Sequence, residues 1–483
     1  MTLEQIIQAL DVLEIRGSAG VQLSDICCDS RKVTPGALFV AVKGFESDGH
    51  AYIGAAVEKG AAAVICEEIP EGISVPAVKV GNSRLAVALA ADTFFGHPSR
   101  DLTLVGITGT NGKTTTVTLL YNMFTLLGYH CGLLSTIANY VGEHRLETAN
   151  TTADPITINR LLAEMVSEGC EYCFMEVSSI GVEQDRVSGL SFAAGIFSNL
   201  THDHLDYHKT FAEYLRCKKL FFDRLPKSAF AIINVDDKNG PVMVQNCAAK
   251  TVTYALRTMA DHRARILEQS FEGMQLNIDS KETWIRLTGV HNAYNALAIY
   301  TTAVCLGVEP TEALIALSRL QAAPGRLETI AAPQGKNIVI DYAHTPDALE
   351  NVLKTLREVA PEAQLICLFG CGGDRDRTKR PEMAQVAERL ADRLVVTSDN
   401  PRTENPEAII DEIRSGLSPK GLAKSIFITD RREAIRTAIM TAPDGATILL
   451  AGKGHETYQV IGKEKHHFDE KEIVLETCKL LTK

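Results

Sequence analysis

Residues 102–115 read Leu-Thr-Leu-Val-Gly-Ile-Thr-Gly-Thr-Asn-Gly-Lys-Thr-Thr, and this stretch decides the fold of the middle of the chain. An apolar run passes into a glycine loop, Gly109–Thr115, and a helical pattern follows over about residues 114–127. A strand, a glycine loop and a helix in this order place backbone N–H groups around phosphate oxygens. Lys113 adds a mobile cation and Thr114 a hydroxyl for magnesium. The stretch therefore predicts a site for a nucleoside triphosphate, with ATP and magnesium as the expected ligands.

The glycines of this loop are spaced more closely than in the general phosphate-loop pattern. That pattern has a glycine five places before Gly112, where this chain has Ile107. The glycines here, Gly109 and Gly112, are three residues apart. We therefore assign the loop to a tighter subclass of phosphate loops.

The composition is that of a globular protein without a membrane span. The chain has 483 residues, of which 45% are apolar and 23% charged, and its formal net charge of −11 argues against broad, non-specific binding to nucleic acid. The first residues lack the pattern of a signal peptide, and no stretch reaches the roughly 18 apolar residues of a membrane span. The only C-x-x-C pair, Cys170 and Cys173, lies in an apolar run typical of a buried strand. Free, buried thiols and a cytoplasmic location are expected.

Three blocks of alternating strand and helix signals predict an α/β protein of three domains. Breaks near residues 96–99 and 323–326 separate residues 1–100, 101–332 and 333–483. The second block predicts a mostly parallel sheet wrapped by helices. The third block resembles a nucleotide-binding fold, with strand signals at residues 337–341, 364–369, 393–398, 425–429 and 446–451.

Two polar segments of the second block are candidates for metal chemistry. Glu176 ends the apolar run of residues 172–177, and a carboxylate at a strand end beside a phosphate loop is a common magnesium ligand. Residues 199–208 contain three histidines and two aspartates. By itself this second segment fits a transition-metal cluster, a magnesium site or a solvated polar loop equally well.

Four motifs together resemble those of the Mur ligases. They are Gly109–Thr115, Glu176 in Glu-Val-Ser-Ser, the Asn-Leu-Thr-x-Asp-His element that ends at His204, and Gly-Val-His-Asn-Ala-Tyr-Asn-Ala at residues 289–296. The resemblance runs from the Asp29 region to Glu456, nearly the whole chain. Residues 399–402, Asp-Asn-Pro-Arg, and 451–456, Ala-Gly-Lys-Gly-His-Glu, resemble the family member that adds meso-diaminopimelate to UDP-N-acetylmuramoyl-L-alanyl-D-glutamate.

The resemblance implies a fold and a reaction. Residues 1–100 would be an α/β domain that binds the UDP substrate, residues 101–332 a central ATPase-like domain, and residues 333–483 a Rossmann-like domain that binds the amino acid. ATP would phosphorylate a substrate carboxylate, and the amine would then attack the acyl phosphate, in cytoplasmic peptidoglycan precursor synthesis. The expected partners are these small molecules, with no nucleic acid, no membrane insertion and a monomeric chain.

The resemblance also implies catalytic and metal-binding residues. Lys113 would neutralise charge on the transferred phosphoryl group. Thr114 and Glu176 would serve one magnesium ion, and His204 a second. Lys218, as a carbamate (N6-carboxylysine), would be a further ligand of the second ion, although Lys219 beside it leaves the register open. The ATP-binding residues implied are Gly109, Thr110, Asn111, Gly112, Lys113, Thr114, Thr115, Asn292, Asn295, Arg326 and Asp341.

The two remaining substrates are expected to contact further polar residues. Those implied for the UDP substrate are Ser30, Asn150, Thr151, Thr152, Ser178, Gln184 and Arg186, together with the segment Phe45–Ser47. Those implied for the amino acid are Arg375, Asp399, Asn400, Pro401, Arg402, Gly452 and Glu456. Because diaminopimelate differs from lysine by one carboxylate, a selective pocket needs a cation there, and Arg402 supplies it by a bidentate pair.

Other functions stay open at this point. Within the superfamily they are a lysine-adding form and a folylpolyglutamate-type ligase, although the folate enzyme has no reason to carry a uridine-binding first domain or residues 399–402. A different class is a switch or binding protein that uses the loop only to sense a nucleotide. A guanine switch would need an Asn-Lys-x-Asp motif, which the sequence lacks.

Overall fold

The computed structural model describes residues 1–44, 48–148, 150–201 and 205–481. Internal contacts divide the chain into two compact units. Unit 1 consists of Met1–Gly109, Thr116–Asn199 and Thr210–Thr253. Unit 2 consists of Thr110–Thr115, Leu200–Lys209 and Tyr254–Lys483. The division into three domains at residues 100 and 332 stays a prediction.

The first sheet of unit 1 has five strands in the order β1-β5-β4-β3-β2. The strands are β1 Val12–Arg16, β2 Asp25–Cys27, β3 Ala37–Val40, β4 Ala63–Cys66 and β5 Ala77–Val80. The helices of this region are α1 Leu3–Ile7, α2 Ile53–Glu58 and α3 Ser83–Phe94, with 3-10 turns at Ser30–Lys32, Gly49–Tyr52 and Pro98–Arg100. Only β1 runs antiparallel to its neighbour. The other strands are fully or almost fully buried, as expected of parallel strands with apolar residues on both faces.

The second sheet of unit 1 surrounds the strand that leads into the phosphate loop. Its strands are β6 Thr103–Thr108, β7 Cys131–Leu134, β8 Asn139–Val141, β9 His144–Leu146, β10 Tyr172–Glu176, β11 Ala194–Phe197 and β12 Phe230–Asn234. They lie in the order β12-β11-β6-β10-β7-β8-β9, and β12 to β7 are parallel. The helices are α4 Lys113–Leu126, whose first turn belongs to unit 2, α5 Pro155–Ser167, α6 Ser179–Glu183, α8 Phe211–Asp223 and α9 Gly240–Met243. The short helix α7, Leu205–His208, belongs to unit 2. The predicted mostly parallel sheet is confirmed, and Glu176 lies beside Ile107 at its carboxyl edge.

Unit 2 contains an antiparallel meander that sequence analysis did not predict. The strands β14 His262–Ser270, β15 Gly273–Ile278 and β16 Lys281–Ile285 form the meander, in which β15 pairs antiparallel with both β14 and β16. Residues 254–255 of β13, Lys250–Ala255, pair with β14 in parallel. The helices α10 Val290–Cys305 and α11 Pro310–Arg319 follow. Helix α10 begins within the motif of residues 289–296, which contains the predicted ATP-binding residues Asn292 and Asn295.

The third sheet has six strands in the order β17-β18-β22-β19-β20-β21. The strands are β17 Glu328–Ala331, β18 Asn337–Asp341, β19 Leu365–Phe369, β20 Arg393–Val396, β21 Ser425–Phe427 and β22 Thr447–Ala451, and a separate hairpin is formed by β23 Tyr458–Ile461 and β24 Glu464–His467. The helices are α12 Pro346–Val359, α13 Lys379–Leu390, α14 Pro406–Ser415, α15 Pro419–Ala423, α16 Arg431–Thr441 and α17 Glu470–Leu481. All five predicted strands are present and parallel, and an apolar core lies on each face of the sheet.

Two predictions about the chain as a whole can be compared with this structure. Cys170 and Cys173 are buried free thiols, as expected, and desolvation raises the pKa of both. No helix in the described part of the chain is both long and apolar enough to traverse a bilayer.

Candidate active site

The phosphate loop is held by contacts within unit 2. Gly112 has φ +88°, and a Cβ at this position would lie 2.5 Å from Oδ1 of Asn295, so both conformation and space favour glycine. The ammonium of Lys113 donates to the carbonyl of Thr110 at 2.8 Å. Thr201 donates its backbone N–H to Oγ1 of Thr110 at 3.0 Å. The Asn-Leu-Thr element is thus bound directly to the loop.

A carboxylate that sequence analysis missed also contacts this loop. Oδ2 of Asp347, in the first turn of α12, accepts hydrogen bonds from Asn111 Nδ2 at 2.9 Å and from Thr201 Oγ1 at 3.1 Å. Its sequence signal was only that of a helix start, Thr-Pro-Asp, in which Thr345 is the N-cap. One side chain of α12 therefore binds both the loop and the Asn-Leu-Thr element.

Glu176 in unit 1 is a buried carboxylate with one unsatisfied oxygen. Only 1% of the residue is exposed. Its Oε1 accepts from the backbone N–H of Thr136 at 2.8 Å and from the Thr136 hydroxyl at 3.0 Å, whereas Oε2 is buried without a partner among the described residues. A buried anionic oxygen is costly unless it is paired. Hard oxygen is the donor that magnesium prefers, so this carboxylate fits the predicted cation.

Lys218 and Lys219 point in different directions from α8. Lys218 is 1% exposed, and its Nζ donates to the carbonyl of Gly109 at 2.8 Å and lies 4.6 Å from the ring centroid of Tyr214. Lys219 instead pairs with Asp223 one helical turn later, at 2.5 Å. Of the two lysines, Lys218 therefore reaches the start of the phosphate loop. The predicted metal ligand His204 and the segment Phe45–Ser47 lie outside the described residues.

Most residues predicted for the UDP substrate form one hydrogen-bonded group in unit 1. The hydroxyl of Thr152 donates to the carbonyl of Glu176 at 2.9 Å and accepts from the N–H of Ser178 at 3.0 Å. Arg186 donates to the carbonyl of Thr152 at 2.6 Å and to Oε1 of Gln184 at 2.7 Å. The guanidinium and the magnesium candidate are thus linked through one threonine.

The other predicted members are joined less closely. The hydroxyl oxygens of Thr151 and Thr136 lie 3.1 Å apart, and because the one Thr136 hydroxyl proton is donated to Glu176, Thr151 is the donor of this pair. Asn150 is exposed, and its carbonyl accepts from Thr148. Ser30 starts a 3-10 turn capped by Asp29, and no hydrogen bond in the described part of the chain joins it to this group.

The asparagines of unit 2 that are predicted to bind the nucleotide make hydrogen bonds to other groups of the protein. Asn292 donates to the carbonyl of Thr288 at 2.9 Å, and Asn295 donates to Oδ1 of Asn292 at 3.0 Å. They are not helix caps, because Gly289 is the N-cap of α10. Both asparagines are buried, and Oδ1 of Asn295 packs against Gly112. The pair therefore stabilises the phosphate loop.

Arg326 and Asp341 lie at the turn that precedes the third sheet. Arg326 donates to Oγ1 of Thr114 at 3.4 Å, and its guanidinium stacks 4.7 Å from the ring centroid of Tyr342. The carboxylate of Asp341 accepts the backbone N–H groups of Leu327 at 2.7 Å and Ala343 at 2.8 Å. Burial raises the pKa of Asp341, and the charge of Arg326 opposes this shift. Asp341 thus holds the turn that presents Arg326 to the loop.

The residues predicted to bind the amino acid follow the carboxyl ends of three adjacent parallel strands. These are β20, β19 and β22, which are followed by residues 399–402, 370–375 and 452–456. Ligands commonly bind at this edge of an open α/β sheet. A Cβ on Gly372 would lie 2.9 Å from Nη1 of Arg402 and 3.8 Å from Cγ of Arg375, so the two arginines flank this glycine.

The guanidinium of Arg402 makes one hydrogen bond to the protein through Nη1 and leaves other donors for a ligand. Arg402 has φ +50°, and its Nη1 donates to the carbonyl of Gly373 at 2.8 Å. Its Nε and Nη2 make no hydrogen bond within the described residues, and neither does the exposed side chain of Arg375. Five N–H donors in a planar fork suit a carboxylate. This corner of unit 2 can therefore bind an anionic group.

Gly452, in the second of the two amino-acid motifs, lies close to Asp399 of the first. Its N–H donates to the carbonyl of Asp341 at 3.0 Å, so its carbonyl is the group left for an ammonium. A Cβ there would lie 2.6 Å from Oδ2 of Asp399. Asp399 and Pro401 belong to the first motif, in which the carbonyl of Asp399 accepts a hydrogen bond of 2.6 Å from Nε2 of Gln459.

Three segments of the chain match known domains of one protein family. Residues 107–303 match the Mur ligase middle domain, residues 325–454 the Mur ligase glutamate ligase domain, and residues 22–95 the catalytic domain of the Mur ligase family. A protein of Phocaeicola vulgatus is 52% identical over 98% of this chain and 99% of its own length. The chain belongs to the Mur ligase family.

Two further relatives of this Mur ligase carry the same description as the first. All three are named UDP-N-acetylmuramoyl-L-alanyl-D-glutamate–2,6-diaminopimelate ligase. One, from Bacteroides fragilis, is 50% identical over 99% of this chain and 100% of its own length. The other is a solved structure that is 32% identical, with a TM-score of 0.72 over 100% of this chain and 99% of that chain.

Proposed function

We propose that this Mur ligase is an ATP-dependent enzyme that joins meso-diaminopimelate to UDP-N-acetylmuramoyl-L-alanyl-D-glutamate in peptidoglycan precursor synthesis. The similarity to ligases of that name covers the whole chain. The structural observation that carries the proposal is the pair Arg402 and Arg375 beside Gly372, with Arg402 Nε and Nη2 available for the carboxylate that lysine lacks.

The first step activates the glutamyl carboxylate of the UDP substrate. A carboxylate is a poor electrophile, and transfer of the γ-phosphoryl group of ATP to its oxygen creates an acyl phosphate and releases ADP. Residues 109–115 would bind the phosphates through backbone N–H groups, and Lys113 would exchange its bond to Thr110 for phosphoryl oxygens as charge develops there. Arg186 is the cation proposed to hold the anionic part of the UDP substrate.

Magnesium is the expected metal, and Glu176 and Thr114 are proposed ligands. Bound magnesium would neutralise charge on the transferred phosphoryl group. The unsatisfied Oε2 of Glu176 supports this role. Lys218 as a carbamate and His204 are proposed for a second ion, and carbamylation would turn the buried Lys218 ammonium into an oxygen ligand.

The second step is attack by the amino group of diaminopimelate on the acyl phosphate, which expels phosphate. Arg402 and Arg375 would hold the distal carboxylate, and Glu456 and the Gly452 carbonyl the distal ammonium. Asn292, Asn295, Arg326 and Asp341 are proposed to shape the nucleotide site. Use of ATP favours the cytoplasm, and the monomeric state stays a prediction.

The test is to incubate the purified protein with ATP, magnesium and the UDP-muramoyl dipeptide, with diaminopimelate or lysine in separate reactions, and to weigh the product. Amide product with diaminopimelate and little with lysine is expected. Product with lysine alone would contradict the proposed specificity, and ATP binding without any amide product would favour a nucleotide sensor.

A further inference from the structure

Lys453 joins the two motifs of the amino-acid site, although it is a buried cation that no step above uses. None of its side chain is exposed. Its Nζ donates to Oδ1 of Asn400 at 3.1 Å and to Oε2 of Glu456 at 3.0 Å, and it lies 3.9 Å from Oδ1 of Asp399. Asn400 is in the first motif and Glu456 in the second. One ammonium group therefore connects residues that are more than 50 positions apart in sequence.

This ammonium fixes the orientation of both partners. Oδ1 of Asn400 accepts from Lys453 and from the N–H of Val460 at 2.9 Å. Nδ2 of Asn400 must then face the other way, where it donates to Oε2 of Glu456 at 2.8 Å. With two donors on Oε2, Glu456 is left with Oε1, which makes no hydrogen bond in the described part of the chain.

The backbone that carries these motifs is held by a different buried cation. Arg431 donates to the carbonyl of Ser398 at 3.3 Å and to the carbonyl of Ala451 at 2.8 Å. Ser398 precedes the first motif, and Ala451 is the first residue of the second. Its charge is paired with Glu470 at 2.8 Å, and both side chains are almost fully buried. Since Arg431 holds the strand ends, Lys453 is left to set the side chains beyond them.

The charges explain why a cation is needed at this position. Asp399 and Glu456 place two carboxylates beside Lys453, where the ammonium group of the ligand is proposed to bind. Two neighbouring carboxylates repel each other unless a cation lies beside them. Without the ammonium of Lys453, Oε2 of Glu456 would also lose one of its two donors, and the direction of Oε1 would no longer be defined.

We infer that Lys453 is a positioning residue for the acceptor amino acid, which holds Asn400 and Glu456 so that Oε1 of Glu456 receives the distal ammonium of the ligand. This inference rests on the proposed function. It assigns Lys453 to the binding of one substrate, in contrast to a general contribution to folding.

The test compares Lys453→Met with Lys336→Met. Lys336 is a matched control because it is also a buried lysine of the third block, 2% exposed, and among the described residues its Nζ makes one hydrogen bond, to the carbonyl of Ile439 at 3.2 Å. For Lys453→Met we expect KM for diaminopimelate to rise about tenfold or more, with KM for ATP and for the UDP substrate within about twofold. Lys336→Met should leave all three KM values within about twofold, whatever its effect on thermal stability.

Each outcome bears on one claim. Equal rises in all three KM values, or an unchanged KM for diaminopimelate in a folded Lys453→Met protein, would overturn the inference. If Lys453→Met does not fold, Lys453→Gln, which keeps a donor but not the charge, is measured against the same criteria. Failure of the wild-type protein to use diaminopimelate would instead overturn the proposed function, so the two failures are distinguishable.

Discussion

Asn111 of the phosphate loop donates a hydrogen bond of 2.9 Å to the carboxylate of Asp347, in the first turn of α12. The same oxygen, Oδ2, accepts from Thr201. The helix that opens the third block of the sequence therefore orients two elements proposed to act on ATP.

Substitution Asp347→Ala should weaken ATP use. Without Oδ2 the side chains of Asn111 and Thr201 lose a shared partner, and ordering the loop then adds to the cost of binding. We expect KM for ATP to rise about three- to tenfold, which is about 1 kcal/mol, while Asp347→Asn, which keeps an acceptor oxygen, has a smaller effect. Steady-state kinetics with ATP as the varied substrate measures this, and equal KM values for wild type and Asp347→Ala would refute it.

Glu176→Gln should separate activity from stability. The change removes the charge beside the unsatisfied Oε2 but keeps an acceptor for Thr136. We expect kcat to fall about 100-fold or more at saturating magnesium, since a metal ligand is lost, and the Tm in EDTA to change by no more than about 4 °C. Near wild-type turnover would show that this carboxylate does not hold a catalytic metal.

The neighbouring lysines of α8 provide a matched pair. Lys218→Met should abolish most activity, whereas Lys219→Met, which removes the ion pair with Asp223, should retain it. If Lys218 acts as a carbamate, removal of dissolved carbon dioxide should lower the wild-type rate, and bicarbonate should restore it. Equal losses in both variants, or a rate that does not depend on bicarbonate, would speak against the assignment.

His291, in the first turn of α10, should make stability depend on pH. Burial lowers its pKa from 6.5 to about 4 in the folded protein. Below pH 6.5 the unfolded chain binds a proton that the folded chain does not, so the contribution of this group is complete above pH 6.5 and is lost as the pH falls toward 4. Urea midpoints of wild type and His291→Asn over this range should converge at low pH. Parallel curves would contradict the prediction.

The sequence predicts those parts of the site that are local in the chain. Strand, loop and helix around Gly109–Thr115 follow from consecutive residues, as does Glu176 at the end of an apolar run. The family resemblance adds Arg402, which lies within one short motif. The five parallel strands of the third block were predicted from apolar runs for the same reason. Membership of the Mur ligase family, first inferred from motifs in order, is confirmed.

Pairings across the fold could not be predicted in this way. The contacts of Asp347 with Asn111 and of Lys453 with Asn400 depend on strand order and on side-chain direction, which no local pattern encodes. The same holds for the meander β14–β16, because β14 and β16, the partners of β15, have few buried residues and lack a strong apolar signal. For Ser30 the opposite is true. The family resemblance assigns it to the site of the UDP substrate, but no hydrogen bond among the described residues of unit 1 joins it to the group around Thr152.

The central claim is that Arg402 selects an amino acid with a distal carboxylate, and a competition reaction tests it most directly. Wild type and Arg402→Ala receive ATP, magnesium, the UDP-muramoyl dipeptide and equal concentrations of diaminopimelate and lysine, and mass spectrometry gives the product ratio. Arg389→Ala, which removes an exposed arginine paired with Glu350, is the control. We expect diaminopimelate product almost exclusively from wild type and control, and a ratio at least about tenfold lower from Arg402→Ala. An unchanged ratio in Arg402→Ala, or a wild type that prefers lysine, would contradict the account.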